Sequence, residues 1–227
     1  MISVPPEIVL QIIENVDDRY TMLNCLLLSR DFKNDATRLL YRSVDLFSTT
    51  GELKKFRHAI DANPQNAHHV VHIAFAQVLS WAGGCDDANY ILSKLPNLRS
   101  LKMALSDWRW EGLLEYLSPS VHCPWQLKTL IWGAETTHGP SALIVAHQGT
   151  LEHIELHYDA CRAIAGSGTP LRGLALPNLR SIRLPLHIHP VNLGLRARDW
   201  DGPTFKGGED DDDTCEWNRT RSTTVTV

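Results

Sequence analysis

The chain has 227 residues, of which 43% are hydrophobic and 21% charged, so it can form one or two domains with a substantial core. Its formal net charge of −4 argues against a nucleic-acid binder, which would carry a basic surface. No apolar stretch approaches the roughly 20 residues that span a bilayer. No basic region precedes an apolar block at the N-terminus, so the sequence predicts neither a membrane partner nor a signal peptide.

The cysteines indicate a reducing environment. There are five of them, they are far apart, and none forms a Cys-x-x-Cys pair. This spacing favours reduced thiols over a disulfide framework, and it predicts a cytoplasmic or nuclear protein.

Three short amphipathic helices are predicted within residues 1–46. Pro5 and Pro6 suit the first turn of a helix, because the φ angle of proline matches the helix and its missing N–H would have no partner there. Apolar residues then follow at i, i+4 spacing on one face, namely Ile8, Ile12 and Val16. A second helix is predicted around 23–30 and a third over 33–41. A segment this small buries no core of its own, so we expect it to dock on a partner.

The same segment resembles an F-box. Motifs of that family begin Leu-Pro-x-Glu-Ile, and here Val4-Pro5-Pro6-Glu7-Ile8 stands in that place. Their later part reads Leu-x-x-Cys-x-Leu-Val-x-Arg-x-Trp, and this chain has Leu-Asn-Cys-Leu-Leu-Leu-Ser-Arg-Asp-Phe over 23–32. Val4 in place of Leu and Phe32 in place of Trp keep the apolar character. The resemblance implies a Skp-type adaptor and a cullin scaffold as partners. The adaptor contacts that it implies are Val4, Pro5, Ile8, Leu23, Leu27 and Phe32.

A repeat occupies residues 41–200. The pattern apolar-x-x-apolar-x-apolar begins at residues 41, 70, 98, 127, 151 and 179, at intervals of 29, 28, 29, 24 and 28 residues. The phrase Leu-Pro-Asn-Leu-Arg-Ser occurs twice, at 95–100 and at 176–181. Leucine-rich repeats have this core and a period of 20–29 residues. We therefore predict an α/β (α+β) fold in which a small three-helix F-box precedes a short, irregular leucine-rich-repeat solenoid with parallel strands and outer helices. Leu53, Phe56 and Ile60 indicate one outer helix.

The strands of such a solenoid offer a binding surface. Because strand side chains alternate between faces, the residues beside the buried positions point away from the core. The predicted target-binding residues on this face are Lys102, His153, Glu155, His157 and Arg183. An ordinary solvated sheet face is an equally weighted alternative.

The last segment, 201–227, is predicted to be an acidic, disordered tail. Gly207-Gly208 leads into Glu209 and four aspartates, and five like charges in a row repel one another. A docking strip for a basic partner is the alternative reading of this run.

The sequence predicts no catalytic residue, metal or cofactor. It has no Gly-x-Ser-x-Gly elbow, no phosphate-binding Gly-x-x-x-x-Gly-Lys-Ser/Thr loop and no His-Glu-x-x-His motif. The resemblance to an F-box implies the function that we favour, that of a substrate-recruiting subunit of a ubiquitin ligase. A stand-alone repeat scaffold without any ligase role stays open, as does an enzyme with an unrecognised site.

Overall fold

The computed structural model describes residues 8, 11, 15–16, 20–21, 23–24, 30–47, 50–76, 84–104, 125–133, 139–158, 160–161, 164, 171, 174–185, 193 and 214–218. The helices with defined bounds are α1 (Arg30–Arg42), α2 (Thr50–Ala62), α3 (Gln65–His69), α4 (Gly84–Ser93) and α5 (Gly139–Ala146). The strands are β1 (Ser43–Phe47), β2 (His72–Ala76), β3 (Ser100–Ala104), β4 (Thr129–Trp132), β5 (His153–Leu156), β6 (Ser181–Pro185) and β7 (Thr214–Asn218).

The strands form one sheet in sequence order. Strands β1 to β6 are all parallel, and β7 pairs antiparallel with β6. Each of the six parallel strands lies on one copy of the repeated apolar pattern, so the six predicted strands are confirmed. The fold is therefore a mixture of helices and parallel strands, α/β overall.

The repeated pattern works because its last two apolar positions are two residues apart and share one face of a strand. Leu101 and Met103 of β3 are fully buried, as is Leu98, which opens that copy of the pattern just before the strand. Leu130 of β4 is likewise fully buried and pairs in register with Leu101. Stacked copies thus build one continuous apolar core under the sheet.

Helix α2 closes part of this core. Leu53, Phe56 and Ile60 are 3%, 9% and 2% exposed, which confirms the predicted apolar face. Helix α1 contacts α3 and β1, and its Ala36 is fully buried. The predicted third helix therefore exists with slightly wider bounds, and it runs directly into the first strand.

A regular hydrogen-bonding pattern joins successive repeats where their strands begin. The Val71 carbonyl accepts bonds from the amides of Arg99 and Ser100, at 2.8 and 3.0 Å. The same two-amide arrangement recurs on the carbonyls of Arg99, Lys128 and Glu152. Backbone groups at these turns are thus paired from repeat to repeat.

The asparagine of the copied phrase has the same role in both copies. Asn97 donates its side-chain Nδ2–H to the His68 carbonyl at 2.7 Å, and Asn178 donates to the Gly149 carbonyl at 2.6 Å. Each bond spans 29 residues and ties a repeat to the one before it. Both asparagine side chains thus donate to a backbone carbonyl of the preceding copy of the pattern.

Polar contacts also join α2 to α4. The Arg57 guanidinium lies 4.2 Å from the centroid of the Tyr90 ring and bonds the Asp87 carboxylate at 2.7 Å. Tyr90 donates its hydroxyl to Asp61 at 2.5 Å, and this bond raises the pKa of Tyr90. The outer layer is therefore held by charge and ring contacts as well as by apolar packing.

The strand β7 lies inside the segment 201–227, of which the structure describes residues 214–218. The acidic run ends at residue 213, and the next five residues include β-favouring Thr and Trp. The edge of β6 offers unpaired backbone donors and acceptors that such a segment can complete.

Candidate protein-interaction surfaces

The side of the parallel sheet away from the core, called here the open face, presents two rows of side chains. Strand register aligns the first row as His72, Ser100, Thr129, His153 and Ser181. The second row is Ala74, Lys102, Ile131, Glu155 and Arg183. All ten residues are exposed or half-buried.

Three of the predicted target-binding residues come together at one end of the open face. Glu155, whose side chain is 28% exposed, lies between the Arg183 guanidinium and the His157 imidazole. The distances are 3.6 Å from its Oε2 to Arg183 Nη1 and 3.5 Å from its Oε1 to His157 Nε2. The two partners of this carboxylate lie just after its own strand and on the neighbouring strand β6.

The other two predicted residues lie apart from that group. His153 is in the first row, where its Nδ1 lies 2.7 Å from Ser181 Oγ. Lys102 is exposed on β3, two strands from Glu155, with the half-buried Ile131 between them. A hollow of 310 Å³ runs between these rows and is lined by Ile131, His153, Glu155 and Arg183, among others. Its mixture of apolar, polar and charged side chains suits a protein partner.

The N-terminal segment exposes large apolar side chains. Ile8 and Leu23 are each 46% exposed and Tyr20 is 72% exposed. Of the other predicted adaptor contacts, Val4, Pro5 and Leu27 lie outside the described residues, and so does the side chain of Phe32.

A third surface was missed by sequence reasoning. One charged residue stands immediately before each of four strands, namely Arg99, Lys128, Glu152 and Arg180. Arg99, Lys128 and Glu152 line a groove of 520 Å³ at the edge where the strands begin, called here the strand-start groove. Arg180 contacts Glu152 from outside this lining. The signal in the sequence is that each charge follows the first apolar residue of a copy of the pattern by one position. Only the apolar positions and the strand residues between them entered the prediction from sequence.

The strand-start groove has a fixed carboxylate. Lys128 donates its Nζ–H to Glu152 Oε1, and Arg180 Nε lies 3.3 Å from Glu152 Oε2. The hydrogen bond from Lys128, aided by Arg180, lowers the pKa of Glu152.

Two buried titratable side chains lie away from these surfaces. His147, 6% exposed, stacks on Trp125 with ring centroids 4.9 Å apart, and burial lowers its pKa to about 4. Cys161 is fully buried, which raises the pKa of its thiol to about 12. Both groups are therefore neutral near pH 7 and belong to the core.

Neither a cluster of metal ligands nor a membrane-spanning helix is seen in the part of the chain that the structure describes. Across the described residues, no three His, Cys, Asp or Glu side chains come together as metal ligands. Nor does any helix there have the length and apolar character needed to cross a bilayer.

Comparison with known proteins identifies the N-terminal part. Residues 1–80 match the COS11 F-box domain family. The F-box protein COS111 of Kluyveromyces lactis is 32% identical over 74 residues, covering 33% of this chain and 10% of that protein. The chain thus matches about a tenth of the length of this curated relative. Residues 1–80 contain an F-box domain, and this range includes α1 to α3, β1 and β2.

Proposed function

We propose that this chain is the substrate-recruiting subunit of an SCF-type cullin–RING ubiquitin ligase. Its N-terminal helices bind a Skp-type adaptor, the adaptor joins it to the cullin scaffold, and the repeat surface binds a target protein. The F-box domain within residues 1–80 is the observation that carries this proposal.

The adaptor surface is apolar. The 46% exposure of Ile8 and Leu23 supports a docking role, because a segment folded only as the start of a larger core would bury such side chains. Covering each of them with a partner would contribute about 1–2 kcal/mol, since each is half-exposed to begin with. The proposed contacts are Val4, Pro5, Ile8, Leu23, Leu27 and Phe32.

The proposed domain organisation is an F-box at 1–46 that overlaps a leucine-rich-repeat solenoid at 41–200, followed by a tail at 201–227. Helix α1 runs into β1 without an intervening residue, which supports the overlap. The six pattern copies each place their apolar positions in one core, which supports the repeat assignment. The shorter 24-residue interval before Leu151 makes the solenoid irregular.

The target would bind the open face. Glu155 held between Arg183 and His157 supplies an oriented acceptor, while Lys102 and His153 supply separate polar contacts nearby. A recruiting subunit positions its target and leaves chemistry to the rest of the ligase. We therefore assign this chain no catalytic residue and no cofactor, and we place it in the cytoplasm or the nucleus.

A stand-alone repeat scaffold is the second candidate. The observation that favours it is the packing of α1 on α3 and β1, with Ala36 fully buried. A helix packed in this way can serve as the cap that a solenoid needs at its end. In that case the N-terminal helices would protect the core and bind no adaptor.

Titration calorimetry of the purified chain with a Skp-type adaptor separates the two candidates. Ile8→Asp and Leu23→Asp should each weaken binding at least tenfold, because each puts a charge where an apolar contact is expected. Tyr158→Asp is the matched control, since Tyr158 is 53% exposed and lies outside the F-box domain. Absence of binding by the folded wild-type chain would favour the scaffold.

A further inference from the structure

The strand-start groove carries a charge opposite to that of the whole chain. Among its lining residues, Arg99 and Lys128 contribute two positive charges and Glu152 one negative charge, a local balance of +1 on a chain of net charge −4. Arg180 adds a further positive charge beside Glu152, just outside the lining. We propose that this groove binds an acidic peptide segment of a partner protein. The inference is independent of the proposed function, because it uses neither the F-box domain nor the open face.

The contacts of Glu152 show that the cations at the groove bind a carboxylate. Its carboxylate receives a hydrogen bond from Lys128 and lies 3.3 Å from Arg180. Both cations keep much of their surface in solvent, at 47% for the Lys128 side chain and 61% for that of Arg180. The groove thus already holds one carboxylate of its own between two cations, and it has cationic surface left for others.

Arg99 is the residue of the groove at which a partner carboxylate is expected to bind. Its side chain is exposed, and no carboxylate among the described residues pairs with it. Neighbouring parallel strands are about 4.8 Å apart, so Arg99 lies next to Lys128 and about 10 Å from Glu152 along the edge. A partner carboxylate between Arg99 and Lys128 would repeat the arrangement that Glu152 has between Lys128 and Arg180.

The remaining lining favours a peptide over a nucleic acid. Asn97, Gln126, Thr150 and Asn178 place amide and hydroxyl groups along the groove, where they suit the backbone of an extended peptide. Among the described residues, no aromatic side chain on which bases could stack lines the groove, and Glu152 would repel a continuous phosphate backbone. The groove has a volume of 520 Å³, which matches several residues of extended chain rather than a single small anion.

Fluorescence anisotropy with a labelled oligoglutamate peptide tests the proposal on the full chain. The peptide should bind at low salt and bind more weakly at about 0.15 M salt, where charges about 8 Å apart are screened. Arg99→Glu should weaken binding about tenfold, because it removes one attraction and adds one repulsion. An oligoglutamine peptide of equal length should not bind.

Two control variants make the result specific. Lys55→Glu makes the same charge change on the exposed side of α2, outside the groove, and should leave peptide affinity unchanged. Lys54→Glu makes the same change at a second exposed position of α2 and should also leave peptide affinity unchanged. Equal weakening by all three variants would mean attraction to overall charge and would overturn the proposal. Binding of an oligothymidylate of the same charge in place of the peptide would overturn it too.

Discussion

Acidification should destabilise this fold through His147. The pKa of this buried imidazole is lowered from its ordinary value of 6.5 to about 4, because burial penalises its charged form. In the unfolded chain the same ring takes up a proton near pH 6.5. The unfolded state therefore binds more protons between these two values, so the stability that His147 contributes is complete above pH 6.5 and is lost as the pH falls towards 4.

The size of this loss follows from the shift. Proton linkage over the two pKa values gives a loss of about 2 kcal/mol between about pH 7 and about pH 5, and about 3 kcal/mol once the pH is below 4. Because native domains are stable by only about 5–15 kcal/mol, the effect is large enough to measure by urea denaturation.

The variant His147→Phe isolates this contribution. Phenylalanine keeps a flat ring against Trp125 but cannot take up a proton, so the fall in stability between about pH 7 and about pH 5 should be about 2 kcal/mol smaller than in the wild type. His68→Phe is the matched control, because His68 is exposed, and it should keep the full wild-type dependence. If His147→Phe lost the same free energy as the wild type on acidification, the reasoning from burial would be refuted.

Three further predictions concern the repeat core. Leu130→Ala should lower the free energy of unfolding, measured in urea, by about 2–5 kcal/mol, because Leu130 is fully buried in a central strand. Lys102→Ala, on the open face of the neighbouring strand β3, should change this free energy by less than about 0.5 kcal/mol. Asn178→Ala should cost about 1 kcal/mol by the same measurement, since the Gly149 carbonyl loses its side-chain donor; Asn178→Asp, which also cannot donate, should not restore it. Cys161 should resist alkylation in the native protein near pH 8 and react only in denaturant, as read by peptide mass spectrometry; rapid native labelling would contradict its burial.

Short-range patterns in the sequence predicted much of the fold. The six apolar triplets located all six parallel strands, and alternation within each strand separated buried residues such as Leu101 from exposed ones such as Lys102. The same spacing placed Lys102, Ile131 and Glu155 in one row, because each strand enters the sheet at the same point of its repeat. These features were predictable because strand period and repeat period are local properties of the chain.

The charged groupings were not predictable in this way. Glu155 could have faced either neighbouring strand, and only the assembled sheet shows that Arg183 and His157 hold it. The strand-start groove was not predicted, because Lys128 and Arg180 are 24 and 28 residues from Glu152 in the sequence. No local pattern indicates that these charges meet. Ion pairs between long side chains depend on the distances between their charged atoms in the fold, and a sequence repeat does not specify these distances.

By itself, the sequence determined where the strands and the F-box-like segment lie, because apolar spacing and a short motif are written along the chain. Tertiary structure alone decided that His147 would be buried against Trp125, that residues 214–218 would complete the edge of β6, and that no carboxylate of the described residues would pair with Arg99. Burial, edge pairing and charge pairing each depend on what neighbouring repeats place beside a residue, and that is settled only when the repeats stack.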